Sequence, residues 1–191
     1  MATPHPLGAI LAGGAARRMG GAKATALLGG RPLLAWAIEV LTAAGLADVV
    51  VVAKRATPLP ERPGAPVWLE PDEPQHPLTG VRHALEHAGG RAVLTLPVDL
   101  PLVPADVLRD LATHAPQAVA VVVRAGGRLH PLVARFSAGA AARLPADGRV
   151  TDAVLALDPV ILDVGADGFE NVNTPADLEA AQRAALRRRA G

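Results

Sequence analysis

The stretch with the clearest capacity for chemistry is a glycine-rich, basic loop that follows a short apolar run near the start of the sequence. It occupies residues 7–23 and reads LGAILAGGAARRMGGAK. The glycines carry no side chain and accept positive φ angles, so backbone N–H groups can close around an oxyanion. Basic side chains of the same loop can neutralise its charge: Arg17, Arg18 and Lys23. This combination indicates binding of a phosphate chain.

The loop differs from two common phosphate-binding motifs. A P-loop requires G-x-x-x-x-G-K-[ST], but Ala22 separates Gly21 from Lys23, and the dinucleotide fingerprint G-x-G-x-x-G is also absent from the loop. Lysine is rare in this chain, because Lys23 and Lys54 are the only lysines among 19 basic residues. A flexible ammonium acts as a movable point charge on phosphate oxygens. We therefore expect Lys23 to contact phosphate, the alternative being a solvated surface lysine.

A second group suited to chemistry is Asp99, which lies in the sequence LTLPVDLP. Residues 92–96 predict a buried strand, and prolines on both sides of Asp99 restrict its backbone. An aspartate at the carboxyl end of a central strand can present its carboxylate to a divalent cation that bridges nucleotide phosphates. The alternative is a turn residue or a helix cap, and spacing alone does not choose between these interpretations.

Strands and helices alternate along the chain and must position these residues. Apolar runs predict strands at residues 7–11, 48–52, 67–69, 92–96, 118–123, 129–136 and 160–164. Helical spacing predicts helices at residues 33–41, 81–87, 104–111, 138–144, 150–157 and 177–187. Gly126-Gly127 predicts a hairpin that contributes an antiparallel strand. The pattern favours a single domain over residues 1–191 with a three-layer α/β fold and a mostly parallel sheet.

Composition excludes several classes of function. The net charge is only +1 and aromatic residues make up 2% of the chain, which argues against a nucleic-acid-binding protein. Without cysteine there is no disulfide, thiolate nucleophile or cysteine-ligated metal. No apolar run approaches the length of a membrane helix, and residues 1–6 do not have the pattern of a signal peptide. We therefore expect a cytoplasmic protein without membrane or nucleic-acid partners.

Three motifs in this order resemble one family. The loop pattern L-A-G-G-x-x-x-R-M-G-x-x-K resembles the signature of the MobA-like nucleotidyltransferases, which attach a nucleoside monophosphate to molybdopterin. Residues 96–104 are similar to that family's L-P-x-D-x-P-x-[VIL]-P motif, and residues 171–175 to its N-[VI]-N-T-P motif. The resemblance covers most of the chain and implies a Rossmann-like nucleotidyltransferase fold.

The resemblance also implies roles for the glycine-rich loop. The backbone of Leu11, Ala12, Gly13 and Gly14 would hold the base and ribose, and Lys23 would contact the triphosphate. Either of two further basic residues would stabilise the departing pyrophosphate: Arg17 or Arg18. With Asp99, these three basic residues form the predicted catalytic set.

Other site residues follow from the later motifs. Asp99 would bind Mg²⁺, and the amides of Asn171 and Asn173 would reach back to the active site, with Asn173 beside the metal or a phosphate. Thr174 would cap a helix that begins at Pro175.

An acidic loop, EPDEPQHP at residues 70–77, resembles the family's contact to the base or ribose. Either Glu70 or Asp72 could accept two hydrogen bonds from the N1–H and amino edge of guanine. The sequence leaves this choice open, and a solvated loop is the alternative.

The implied reaction is attack of the terminal phosphate of molybdopterin on the α-phosphorus of a nucleoside triphosphate, with release of pyrophosphate. Guanylyltransferases tend toward L-A-G-G and cytidylyltransferases toward L-A-A-G, so Gly13-Gly14 indicates GTP. The implied partners are GTP, molybdopterin, and proteins that make or receive the cofactor. Alternatives are a cytidylyltransferase for the same cofactor, a sugar-phosphate nucleotidyltransferase, and a nucleotide-binding paralogue without turnover. The last is motivated by three departures from the family pattern. The family usually has an aspartate at the position of Ala22, an asparagine near that of Val52 and a glycine at that of His76.

Overall fold

The computed structural model describes residues 5–13 and 23–190, in which short strands and helices alternate. The strands are β1 (Leu7–Leu11), β2 (Leu27–Leu28), β3 (Arg31–Pro32), β4 (Val49–Ala53), β5 (Val67–Leu69), β6 (Val93–Pro97), β7 (Ala120–Ala125), β8 (Arg128–Phe136) and β9 (Val160–Val164). The helices are α1 (Leu33–Ala43), α2 (Pro77–His87), α3 (Ala105–Thr113), α4 (Val150–Leu155) and α5 (Pro175–Ala190).

A seven-stranded sheet with the order β5-β4-β1-β6-β8-β7-β9 forms the centre of the fold, while β2 and β3 form a separate antiparallel ribbon. The strands β5, β4, β1 and β6 pair in parallel, as do β7 and β9. β8 is antiparallel to both of its neighbours. The turn between β7 and β8 has positive φ at Gly126 and Gly127, which suits a two-residue hairpin loop. The mostly parallel sheet and the antiparallel strand after the hairpin are therefore confirmed.

Helices cover both faces of the sheet, which confirms the three-layer prediction. Buried residues of α1, α3 and α5 belong to one apolar cluster, and those of α2 and α4 belong to a second cluster. The central strands contribute to both clusters by alternation. Val51 packs in the first cluster, whereas Val50 and Val52 pack in the second. Runs such as VVVV are apolar at every position because both faces of these strands are buried.

The largest differences between the predicted helices and the structure lie at α2 and at residues 138–144. α2 begins at Pro77 rather than at residue 81, because proline fits the first turn and the His76 ring accepts a hydrogen bond from the Leu78 N–H. The helix predicted at residues 138–144 is wrong: only Ala138–Ala140 form a short 3₁₀ turn. Gly139 weakens helix formation there, and Pro145 disfavours helical backbone at the residue before it.

α5, with 16 residues, begins at Pro175 as expected and continues past the predicted end. Within residues 5–13 and 23–190, none of the helices has both the length and the apolar character that crossing a membrane requires. The cytoplasmic location and the single-domain organisation stay predictions.

Candidate active site

A cavity of about 390 Å³ opens at the carboxyl ends of the parallel strands β1, β4 and β6. In open α/β sheets this edge is where ligands bind, because loops diverge there and leave a crevice. Its walls include many of the residues singled out in the sequence: Leu11, Ala12, Gly13, Lys23, Glu70, Asp99 and Asn171. The topology therefore brings segments that are far apart in the chain to one edge of the sheet.

Lys23 connects two of these segments through its ammonium. The Nζ atom donates to Asp99 Oδ2 at 2.9 Å and to the amide oxygen of Asn173. The Lys23 and Asp99 side chains are 19% and 16% exposed, so both can be reached from the cavity. We call Lys23, Asp99 and Asn173 the Lys23 cluster. It places one cation, one carboxylate and one amide within hydrogen-bond distance.

Backbone contacts hold the cluster in position. The Val172 N–H donates to the Asp99 carbonyl at 2.8 Å, which ties the segment before α5 to the loop after β6. Asp177 accepts from the backbone N–H groups of Asn173 and Thr174, and the Thr174 hydroxyl accepts from the Asp177 N–H. This is a reciprocal capping box, which fixes the backbone at Asn173. Sequence reasoning missed Asp177, although the spacing T-P-A-D carries the signal for it.

The capping contacts also explain the electrostatics of Asp177. The pKa of its carboxyl lies below the ordinary value because the Asn173 N–H, the Thr174 hydroxyl contact and the Thr174 N–H stabilise the ionised form, with a smaller contribution from Lys23. Asp177 also lines a second, open groove next to Asp99, together with Arg128 and His130. Two members of the Lys23 cluster, Asp99 and Asn173, also line that groove.

Glu70 lies at another part of the cavity wall, where its residue is only 7% exposed. Its backbone N–H donates to the Ala53 carbonyl, so the chain is still held against β4 at this point. The carboxylate packs against two glycines: a Cβ on Gly13 would lie 2.0 Å from Oε1, and one on Gly80 would lie 3.0 Å from Oε2. By contrast, Asp72 is exposed and is not part of the cavity wall. The structure thus brings Glu70, but not Asp72, to the site.

Burial raises the pKa of Glu70, and Asp72 adds to this shift, while Lys54 opposes it. Lys54 Nζ lies 3.9 Å from Glu70 Oε1 and donates to the Pro71 carbonyl at 2.6 Å. Glu70 Oε2 is buried and has no hydrogen-bond partner among the described residues. A buried acceptor without a donor is uncommon in native proteins, and it marks a place where a ligand can donate.

Replacing Gly13 by alanine tests the close approach of Glu70. The added Cβ would overlap the end of the Glu70 side chain, which would have to turn away, so we expect the free energy of unfolding to fall by about 1 kcal/mol, the low end of the usual cost of overpacking. Urea denaturation measures this change. Gly165→Ala is the matched control, because no atom lies within 4 Å of its added Cβ, and it should change stability by less than about 0.5 kcal/mol. Equal effects of the two substitutions would contradict the packing of Glu70 on Gly13.

Two histidines also line the cavity. The His130 ring packs against Phe169 at 4.9 Å between ring centroids, and its pKa is lowered mainly by burial and further by Arg128. Both effects favour the neutral form of the His130 imidazole. His76, which replaces the usual glycine, caps α2 with one ring nitrogen and contacts the Gly148 carbonyl with the other at 2.7 Å. It thereby links the start of α2 to the loop before α4.

Some predicted residues lie outside the described residues. These are Gly14, Arg17, Arg18 and the departure at Ala22, so their roles stay predictions. Over residues 5–13 and 23–190, no group of three or more histidine and acidic side chains forms a metal site. Asp99 fits Mg²⁺ without such a group, because that ion is commonly held by one or two carboxylates, substrate phosphates and water.

Comparison with known proteins identifies the family. Residues 8–160 match the family described as the MobA-like NTP transferase domain. The chain is 44% identical over 131 residues to a molybdenum cofactor guanylyltransferase of Cereibacter sphaeroides, and this alignment covers 65% of the chain and 65% of that relative's length. It is 38% identical over 195 residues to a molybdenum cofactor guanylyltransferase of Acidiphilium cryptum, with 93% and 94% of the two chains covered.

A solved structure has the same fold. The crystal structure of molybdopterin-guanine dinucleotide biosynthesis protein A from Archaeoglobus fulgidus superimposes with a TM-score of 0.72 at 24% identity, and the match covers 94% of this chain and 98% of that one. This likeness confirms the predicted Rossmann-like α/β fold. The family match confirms the resemblance and includes the glycine-rich loop and the motif at residues 96–104, whereas the motif at residues 171–175 lies beyond the matched range. The chain belongs to the MobA-like NTP transferase family of nucleotidyltransferases.

Proposed function

We propose that this protein transfers GMP from GTP to molybdopterin, forms the guanine dinucleotide cofactor and releases pyrophosphate. The observation that carries the proposal is the Lys23 cluster, in which segments 76 and 150 residues apart meet at the cavity. The names of the relatives support guanylyl transfer over the cytidylyl, sugar-phosphate and non-catalytic alternatives. GTP, molybdopterin, and proteins that make or receive the cofactor are the proposed partners.

The Lys23 cluster supports a role at the triphosphate end. Phosphoryl and nucleotidyl transfer require little covalent chemistry from the protein, which must align the attacking and leaving oxygens and stabilise their charge. Lys23 would donate to triphosphate oxygens, and Asp99 would hold a Mg²⁺ ion. When bound, that ion would supply positive charge at the phosphates. Asn173 would orient the Lys23 ammonium through the hydrogen bond that it already accepts.

Glu70 supports a role at the base end. Asp99 follows β6 and Glu70 follows β5, with β1 and β4 between these two strands. Neighbouring strands lie about 4.8 Å apart, so the chain leaves β5 and β6 at points roughly 14 Å apart along the sheet edge, and the Glu70 side chain reaches from the β5 side toward Gly13 after β1. A nucleotide bound along this edge would place its base near Glu70 and its phosphates near Lys23. The Glu70 carboxylate would accept from N1–H and the amino group of guanine.

The raised pKa of Glu70 predicts how GTP binding depends on pH. As the pH falls, a carboxyl with a raised pKa gains its proton earlier than an ordinary glutamate and loses acceptor capacity. We therefore expect GTP affinity, measured by calorimetry from about pH 8 to about pH 5, to decrease toward the acidic side. Glu70→Gln should bind GTP weakly and without this dependence. Glu73→Gln, at an exposed carboxylate of the same loop, should retain it. A wild-type affinity that is constant over this range would contradict the assignment of Glu70.

The proposed reaction is tested by pyrophosphate release. Purified protein is supplied with Mg²⁺, molybdopterin-bearing acceptor and one of GTP, CTP, ATP or UTP. Release with GTP alone supports the proposal, and preference for CTP would replace it by the cytidylyltransferase alternative. Absence of release with all four, from protein shown by circular dichroism to be folded, would favour the non-catalytic alternative.

A further inference from the structure

Lys54 is a second ammonium in the cavity wall, separate from the Lys23 cluster. It follows β4, which lies two positions from β6 in the sheet, so the chain enters the cavity wall at Lys54 and at Asp99 of the Lys23 cluster from strand ends about 10 Å apart. Its side chain is 14% exposed, and its stem lies against Gly13, with Cγ 3.6 Å from the position of an added Cβ there. Lys54 is therefore held at the wall that Glu70 also forms.

Among the described residues, the contacts of Lys54 leave donors for a ligand. An ammonium carries three N–H donors, and the Pro71 carbonyl accepts one of them at 2.6 Å. The nearest Glu70 oxygen is 3.9 Å away, which is too far for a hydrogen bond. The ammonium and the carboxylate thus lie side by side without closing on each other. Glu70 Oε2 has no hydrogen-bond partner within residues 5–13 and 23–190, so the pair places a donor next to two acceptors.

This arrangement matches one edge of one nucleobase. Guanine presents O6 as an acceptor, followed by N1–H and the exocyclic amino group as donors. Cytosine presents the opposite order, an amino donor followed by two acceptors. Its amino donor would therefore face the Lys54 donor, and its acceptors would face the Glu70 acceptors. Adenine places an amino donor where O6 stands in guanine. A site built to pair with specific polar groups rejects analogues that leave its own groups unpaired.

We propose that Lys54 is a base-specificity residue that donates a hydrogen bond to O6 of guanine, while Glu70 accepts from N1–H and the amino group. This inference rests on the proposed use of GTP. The hydrogen bond from a charged donor should strengthen GTP binding about 10- to 100-fold. Lys54 thus acts on the choice of nucleotide, whereas the Lys23 cluster acts on its phosphates.

The test measures binding of GTP, 6-thio-GTP and ITP to the full chain by calorimetry, with Mg²⁺ and without acceptor. In 6-thio-GTP a weakly accepting sulfur replaces O6, and ITP lacks only the amino group. Wild-type protein should prefer GTP over both analogues. Lys54→Met should weaken GTP binding about 10- to 100-fold and bind 6-thio-GTP nearly as well as GTP, yet still prefer GTP over ITP through Glu70. Lys54→Arg should restore part of the preference for O6.

Controls separate this inference from the proposed function. Arg55→Met changes an exposed neighbouring cation and should leave all three affinities unchanged. The role of Lys54 alone would be overturned if the wild type preferred GTP but Lys54→Met lost affinity for GTP and 6-thio-GTP by the same factor. Lys54 would then only position Glu70. A wild type that binds CTP or ATP as tightly as GTP would overturn the proposed function itself.

Discussion

Asp99→Ala is expected to lower kcat/KM for GTP by about 1,000-fold or more, with most of the loss in kcat, because it removes the only carboxylate proposed to hold the cation at the phosphates. The fold should persist. The Asp99 side chain is partly exposed, and its backbone carbonyl would still accept from the Val172 N–H. Steady-state pyrophosphate release and a urea denaturation curve measure the two effects separately.

The matched control for this substitution is Asp110→Ala, which removes an exposed carboxylate on α3 outside the cavity. It should retain wild-type kcat/KM. Asp99→Asn gives a further comparison, since the amide keeps the size of the side chain but lacks the negative charge. If Asp99→Asn retained most of the activity while Asp99→Ala did not, charge would be unimportant at this position, and the assignment of Asp99 to Mg²⁺ would be wrong.

Lys23→Met should lower kcat/KM for GTP by about 100- to 1,000-fold, since it removes the ammonium proposed to contact the triphosphate. Methionine keeps the length of the stem, so lost packing contributes little. Binding measurements should show a large loss for GTP and a small loss for GMP, because Lys23 would act on the terminal phosphates. Lys23→Arg should restore little, since a planar guanidinium does not fit the place of an ammonium between Asp99 and Asn173.

Lys54→Met is the comparison that makes the Lys23 result specific, since these are the only two lysines in the chain. Lys54 is expected to act on the base, so its substitution should weaken GTP and GMP by similar factors. Because Lys23 and Asp99 contact each other, the effects of substituting both should be far from additive. Equal losses for GTP and GMP in Lys23→Met would contradict its placement at the triphosphate.

Local sequence patterns were sufficient for most of the fold. Runs such as VVVV at residues 49–52 are apolar on both faces, and only a strand covered on both sides explains this pattern. Gly126-Gly127 predicted the hairpin because both positions require positive φ. The helix expected at residues 138–144 failed for a reason that lies outside local periodicity. The apolar residues of this segment can pack in the second cluster from a short turn, and Gly139 and Pro145 disfavour a longer helix.

The sequence by itself determined which chemical groups are available: a glycine-rich basic loop, an aspartate between prolines, an acidic loop and a pair of asparagines. Only the tertiary structure shows that Glu70 lines the cavity and Asp72 does not, although the two have the same chemistry and lie two residues apart. Glu70 is still hydrogen-bonded to β4 and packs between Gly13 and Gly80, whereas the chain has left the sheet at Asp72. The Lys23 cluster was likewise decided by topology, because the parallel strands bring their carboxyl ends to one edge and so join groups 76 and 150 residues apart.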